Sequence, residues 1–412
     1  MESIIIGKIK NSGNRIDVDL TVSDGLKKYF NNTHFFAEYS CDISDVPDSV
    51  AVLPVLLNLL PFSWLADCIV WATEVDSVFY DAVMRLKNGF RELYPDLKLG
   101  GTLIAAKRID NRYEPEREAM ALFTGGIDAT TTFLRIKDKK PILFNTNGWY
   151  QDEIKQDDVY DADKADITEI AVQNGVEACF VRSDFATFIS GGLIGKTFLK
   201  KTKTTWWFGF QHSMAFLGCA VVTGYHYKVK SIYIASSYTM GQQFLCVSDP
   251  RIDSEIKCAS MNVIHDGYEL SRQNKVRAIT GYCKETGQSV RLRVCSFNDH
   301  NCCMCEKCFR SMLAIAAEGG EDMKEYGFTF DGTLLSQLKK FLREHIVDLD
   351  GAHVVYWYDI IARMKENYEN MKHKEVYDFL KNFDFEKERK RYLFRYYRKN
   401  FFRIIKRKLF HN

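Results

Sequence analysis

Short apolar runs at residues 3–9 and 16–20 read as strands at the start of the chain. A longer apolar run spans 49–72, interrupted by Pro54, Asn58, Pro61, Ser63 and Asp67. Those interruptions suit two or three buried elements better than a membrane-spanning helix. Residues 78–93 read as a helix, and the polar stretch 108–115 (RIDNRYEP) as a domain boundary. From there strands and helices alternate. Strands are expected at 119–123, 141–145, 177–182 and 231–235, with helices at 129–136, 163–174 and 206–225 between them. That rhythm predicts an α/β fold, a parallel sheet wrapped by helices, whose ligands bind along the edge formed by the strands' C-terminal ends. Residues 320–412 read as mostly helical, and no internal repeat or low-complexity segment interrupts the pattern.

This organisation gives three expected parts: an N-terminal α/β accessory domain (1–115), a central α/β domain (116–320) and a helical C-terminal region (321–412). A chain of 412 residues is long enough for two or three domains. A net charge of +2 gives no global field that would call for nucleic acid. Basic residues nevertheless crowd 387–408, and one face of a helix there would carry Phe394, Tyr397, Phe401, Ile404, Ile405 and Leu409. This tail suits an anionic membrane surface, RNA, a protein partner or plain solvation. The N-terminus has no basic segment followed by an apolar one, so no signal peptide is read and a cytoplasmic protein is expected.

Two stretches carry chemistry. In ALFTGGIDATTT (121–132) a double glycine follows a strand and opens a helix. Glycines there let a phosphate approach backbone amides, and the helix dipole favours its charge. Asp128 can cap that helix or help to hold Mg2+, and Thr124, Thr130 and Thr131 can donate hydroxyls. A tight turn that binds nothing has the same signature. The second stretch holds five of the twelve cysteines: Cys295, Cys302, Cys303, Cys305 and Cys308. Cys302, Cys305 and Cys308 are spaced CxxCxxC, and with Cys295 they can close a tetrahedral Zn2+ site. His300 or Cys303 can replace one ligand, and an iron–sulfur cluster uses similar spacing. A third run, SGGLIGKT (190–197), ends like a phosphate-binding loop but lacks its first glycine and a leading strand. Trp206 and Trp207 read as packing at a helix start, and Gln211 and His212 as core residues that can also reach a site.

The glycine stretch resembles the PP-loop of ATP pyrophosphatases, Ser-Gly-Gly-x-Asp-Ser. Thr124 stands for the first serine, Gly125, Gly126 and Asp128 match, and Ala129 replaces the second serine. With the cysteine knuckle and Arg310 after it, residues 118–320 resemble the 7-cyano-7-deazaguanine synthase family. The resemblance implies an adenine nucleotide alpha hydrolase-like fold with a structural zinc knuckle. It also implies an adenylate-forming enzyme that uses ATP and Mg2+ to activate a carboxylate for a nitrogen nucleophile. Thr124, Gly125, Gly126, Ile127, Asp128, Ala129 and Thr130 would then hold the pyrophosphate end of ATP. Phe144, Asn145 and Thr146 would lie against adenine, and Thr124, Asp128 and Arg251 would be catalytic. The implied acceptor is a small carboxylate, deazaguanine-like or changed, because the order around Arg251 (SDPRIDSE) departs from the family's. Arg251 can pair with a carboxylate bidentately or form a surface ion pair. A nucleotide-binding scaffold without turnover and a sulfur-transfer relative are the competing readings, and a homodimer is left open.

Overall fold

The computed structural model describes residues 2–148, 153–242, 244–295, 298, 300–349 and 351–410, with side chains left out at 153–159, 351–352 and 401–410. The chain divides into two compact units, Met1–Ser271 and Arg272–Asn412.

The first unit is built on one twelve-stranded, mostly parallel sheet. Its strands are β1 (Ser3–Ile6), β2 (Lys10–Asn11), β3 (Arg15–Val22), β4 (His34–Tyr39), β5 (Ile69–Asp76) and β6 (Thr102–Ile109), followed by β7 (Arg117–Leu122), β8 (Ile142–Asn147), β9 (Ala178–Ser183), β10 (Val229–Ala235), β11 (Lys257–Cys258) and β12 (Met261–Asp266). The spatial order is β11-β12-β10-β7-β8-β9-β4-β3-β1-β5-β6, with β2 beside β3. From β12 to β9 the five strands are parallel. β4 then joins β9 antiparallel, Ala37 opposite Ser183. The strands on either side of residue 115 therefore belong to one sheet. The expected boundary at 115 falls inside the first unit, and that at 320 inside the second.

The 49–72 run forms helices Asp48–Ala51 and Leu53–Ala66 and then enters β5. Every residue from Leu53 to Leu65 is buried, which explains why the run is apolar all round rather than on one stripe. Gly218 of helix His212–His226 packs there because any Cβ would stand 3.1 Å from Leu53 O. Helix Ser77–Leu93 starts at Asp76, whose buried carboxylate accepts from Phe79, Ala259 and Asn111 N–H groups at 2.9–3.0 Å. The three donors stabilise a charge that would otherwise be costly to bury.

The second unit is helical, with Arg272–Thr286, Glu306–Ala317, Leu334–His345, Gly351–Glu366, Lys374–Leu380 and Phe385–Phe410. Buried Glu318 ties three of its segments together, accepting from Gln273, Arg277 and Arg363 at 2.7–3.2 Å. Trp357 stacks on Phe341 and donates its indole N–H to Glu306. In the terminal helix Phe394 and Tyr397 are exposed. The side chains of Phe401, Ile404, Ile405 and Leu409 lie outside the described residues.

Candidate functional site

β7 runs between β8 and β10, and its ladder extends one residue further where Phe123 N–H donates to Phe144 O at 2.8 Å. The chain then turns back. Gly125 takes φ +72°, a left-handed conformation that side chains resist. Gly126 is extended and opens helix Ile127–Ile136 with no side chain capping it. An uncapped helix start of this kind favours a negatively charged group. Asn145 on β8 holds the turn in place, its Nδ2 donating to Phe123 O at 2.9 Å. On the same helix Thr132 donates to Asp266 at the end of β12 at 2.8 Å, and Arg135 lies 3.3 Å from that carboxylate.

The strand order explains why this turn differs from the others. From β7 the chain moves outward to β8 and β9, then returns to the opposite side of β7 as β10 and β12. Crevices open outside the C-terminal ends of the strands at such a reversal. Two side chains there are buried without partners. Thr130 Oγ1 and both polar atoms of Asn147, each residue 3% exposed, find no hydrogen bond among the described residues. Groups of this kind are normally satisfied by water, an ion or a ligand.

Thr124 is exposed, Gly126 and Asp128 are half-buried, and Ile127 and Ala129 turn into the interior. Ala129 packs beside Phe123, Phe133 and Leu143, so the missing serine hydroxyl would sit in an apolar cluster. Phe144 meets the turn through its backbone carbonyl, while its ring is buried in the main core. Thr146 is half-buried on the same strand. Arg251 opens the short helix Pro250–Asp253, and its Nε and Nη2 both bind Asp249 at 2.8 Å. That edge of the guanidinium is thus paired with Asp249 in the fold. Gly195, Lys196 and Thr197 lie in the body of helix Gly191–Phe198, not at a phosphate loop.

Two of the buried groups carried no signal in the sequence, Asn147 and His265, whereas His212 was expected as a core residue. Asn147 falls two residues past the expected end of its strand. His265 Nδ1 lies 2.8 Å from Asp253, both side chains almost fully buried, and Ser248 donates to the same oxygen at 2.9 Å. His212, among Trp207, Phe208 and Phe216, is pushed down to about 4 by burial and stays neutral at pH 7.

The second unit brings Cys295, Cys302, Cys305 and Cys308 together, with all four sulfurs within 4.8 Å of one another. Cys302 and Cys308 are 4.0 Å apart. Four thiolates around zinc at its usual bond length stand about 3.8 Å apart, so the group fits a closed tetrahedral site. Hydrogen bonding from Cys308 pulls the Cys305 thiol down to about 5, and burial pushes Cys302 up to about 11. Cys303 stands apart at φ +51°, its thiol directed to Asn301 O, and neither it nor His300 belongs to the four-sulfur group. Asn301 clamps the loop. Its side chain accepts from Val294 and Cys295 N–H and donates to Leu292 and Gly327 carbonyls. A group of four cysteines this close can hold a metal ion such as zinc.

Among the described residues no helix is long and apolar enough to cross a membrane. No family model matches the chain, and no curated protein or solved structure matches it either.

Proposed function

We propose that the glycine turn at the end of β7 binds the phosphates of ATP, and that the protein is an adenylate-forming enzyme releasing AMP and pyrophosphate. The observation that carries this reading is the position of Thr124-Gly125-Gly126. The turn combines a left-handed glycine, an uncapped helix start and the reversal of strand order in one place. Thr130 and Asn147 support it as buried polar groups that a nucleotide would satisfy. Ala129 does not count against it, because that side chain faces the core.

In this proposal the backbone of 125–128 and the hydroxyls of Thr124 and Thr130 hold the leaving pyrophosphate. Asp128 positions Mg2+ or the helix start, and the magnesium ion neutralises phosphate charge. Catalysis is then mainly orientation and electrostatic stabilisation. The acceptor is a small carboxylate, deazaguanine-like in the first instance, and ammonia is the nitrogen nucleophile. Zn2+ on the four cysteines is structural, since a closed four-thiolate shell leaves no open position for substrate.

The test is α-labelled ATP with Mg2+, 7-carboxy-7-deazaguanine and ammonia, with Asp128→Ala as control. AMP that depends on the acid supports the whole reading. AMP without that dependence keeps the adenylate chemistry and changes the acceptor. ATP bound but not consumed would replace the enzyme by a nucleotide-binding scaffold.

A further inference from the structure

Seven of the twelve cysteines lie outside the 295–308 cluster. The junction between β4 and β9 brings two of them, Cys41 and Cys179, face to face.

The register that sets Ala37 opposite Ser183 and Tyr39 opposite Val181 continues past the end of β4. Ser40 N–H donates to Phe180 O and Phe180 N–H donates to Ser40 Oγ, both at 2.9 Å. One residue further on, Cys41 falls opposite Cys179. Ser40 and Phe180 occupy a hydrogen-bonded position of the ladder, so the cysteines take the non-hydrogen-bonded one. Opposite Cα atoms stand about 4.5 Å apart there and side chains approach most closely. That separation lies within the range a disulfide spans. Tyr39 and Val181, two residues away on the same face, are buried.

Both cysteines are reduced, and Cys41 is partly exposed at the strand's end while Cys179 is buried. The Cys179 sulfur lies 3.6 Å from Tyr227 Oη. Hydrogen bonding between the two thiols favours the thiolate at Cys179 and keeps the proton on Cys41, with burial working against the charge. The thiolate is the form that exchanges with disulfides. The pair sits near the N-terminal end of β9, whereas the glycine turn follows the C-terminal end of β7. Since β7, β8 and β9 are parallel, these are opposite edges of the sheet.

We propose that Cys41 and Cys179 are a thiol modification site, which exchanges with low-molecular-weight disulfides and closes into a cross-strand disulfide that fastens β4 to β9. Cys41, the sulfur within reach of solvent, attacks the small disulfide. A bond forms between Cys41 and one half, the small disulfide's S–S bond breaks, and its other half leaves as a thiol. Cys179 then attacks the Cys41 sulfur and expels the second half. The two protein thiols are oxidised, one small disulfide is reduced to two thiols, and both protons end on those thiols. The site is independent of the glycine turn, so it stands whether or not that turn hydrolyses ATP.

The test incubates the full chain in glutathione buffers from reduced to oxidised, alkylates the remaining thiols and maps every cysteine by peptide mass spectrometry. Oxidised buffer should give a peptide pair linked through Cys41 and Cys179, with loss of alkylation at both, and dithiothreitol should restore it. In Cys179→Ser, Cys41 should stop at the mixed disulfide with glutathione. In Cys41→Ser, Cys179 should stay reduced. The urea midpoint of the oxidised wild type should rise above that of the reduced protein, because the bond restricts the unfolded chain. Full alkylation of Cys41 and Cys179 in oxidised buffer, a link from Cys41 to a different cysteine, oxidation of Cys179 without Cys41, or an unchanged or lowered midpoint would each overturn the proposal. Mapping of the wild-type protein tests it even if a serine variant does not fold.

Discussion

Asp184, at the end of β9, offers a quantitative check on the sheet junction. Its carboxylate accepts the Phe36 N–H of β4 at 3.0 Å, and burial raises it to about 6 despite that bond. Arg15 and His34 draw it down, but only partly. In the unfolded chain an aspartate releases its proton near pH 4. The native state therefore holds a proton that the unfolded chain has lost over roughly pH 4–6. The protonated form stabilises the fold below pH 4, and this contribution is lost as pH rises through 6. Two pH units correspond to about 3 kcal/mol. Asp184→Asn keeps the acceptor oxygen and cannot ionise. It should match the wild type at pH 4 and exceed it at pH 8 by on the order of 2–3 kcal/mol. Urea unfolding followed by tryptophan fluorescence, repeated from pH 4 to 8, measures the difference. Five of the six tryptophans lie within residues 1–271, so the signal reports mainly on the first unit. A difference between the two proteins that does not change with pH would refute the argument, because it would mean that Asp184 titrates as an ordinary carboxyl.

Gly125→Ala forces a side chain onto φ +72°, which should cost about 1–2 kcal/mol; thermal melting checks it, and ATP titration should show a larger loss than stability does. Elemental analysis should find about one zinc per chain, and chelation or Cys305→Ser should release it. Limited proteolysis should then cut within 272–412 before the rest, since structural zinc contributes directly to local folding. Trp64→Ala removes a fully buried ring that meets Phe90 edge-on at 5.2 Å, and should destabilise the first unit by about 3–5 kcal/mol in denaturant unfolding.

The central sheet was legible because its signals are local. Ile142, Leu143 and Phe144 form a continuous apolar run, as a strand covered on both faces requires. The glycine turn was legible for the same reason. β4 was not, although Phe35, Ala37 and Tyr39 alternate inward, because nothing near them in sequence announces β9 as their partner. β12 was hidden by Asn262, His265 and Asp266, polar residues that break its apolar run, of which His265 pairs with Asp253 and Asp266 with Thr132 and Arg135. The 206–225 helix was expected as one piece, and its π-turn shows only in the backbone. The four-sulfur group could be read from spacing. The Asn301 clamp could not, since one asparagine among polar neighbours looks like any loop residue.

The junction between β4 and β9 also bears on how the chain comes to be folded. Phe36 must find Asp184, 148 residues later, so β1 and β3 can form their antiparallel ladder during synthesis while the edge of β4 stays open. Pairings of such sequence separation are slow, and exposed strand edges recruit other chains while they wait. A ribosome carrying this protein would display an unsatisfied edge until β9 emerges. Expression at lower temperature, or with a holdase present, should therefore raise the soluble yield more than any change in the finished structure.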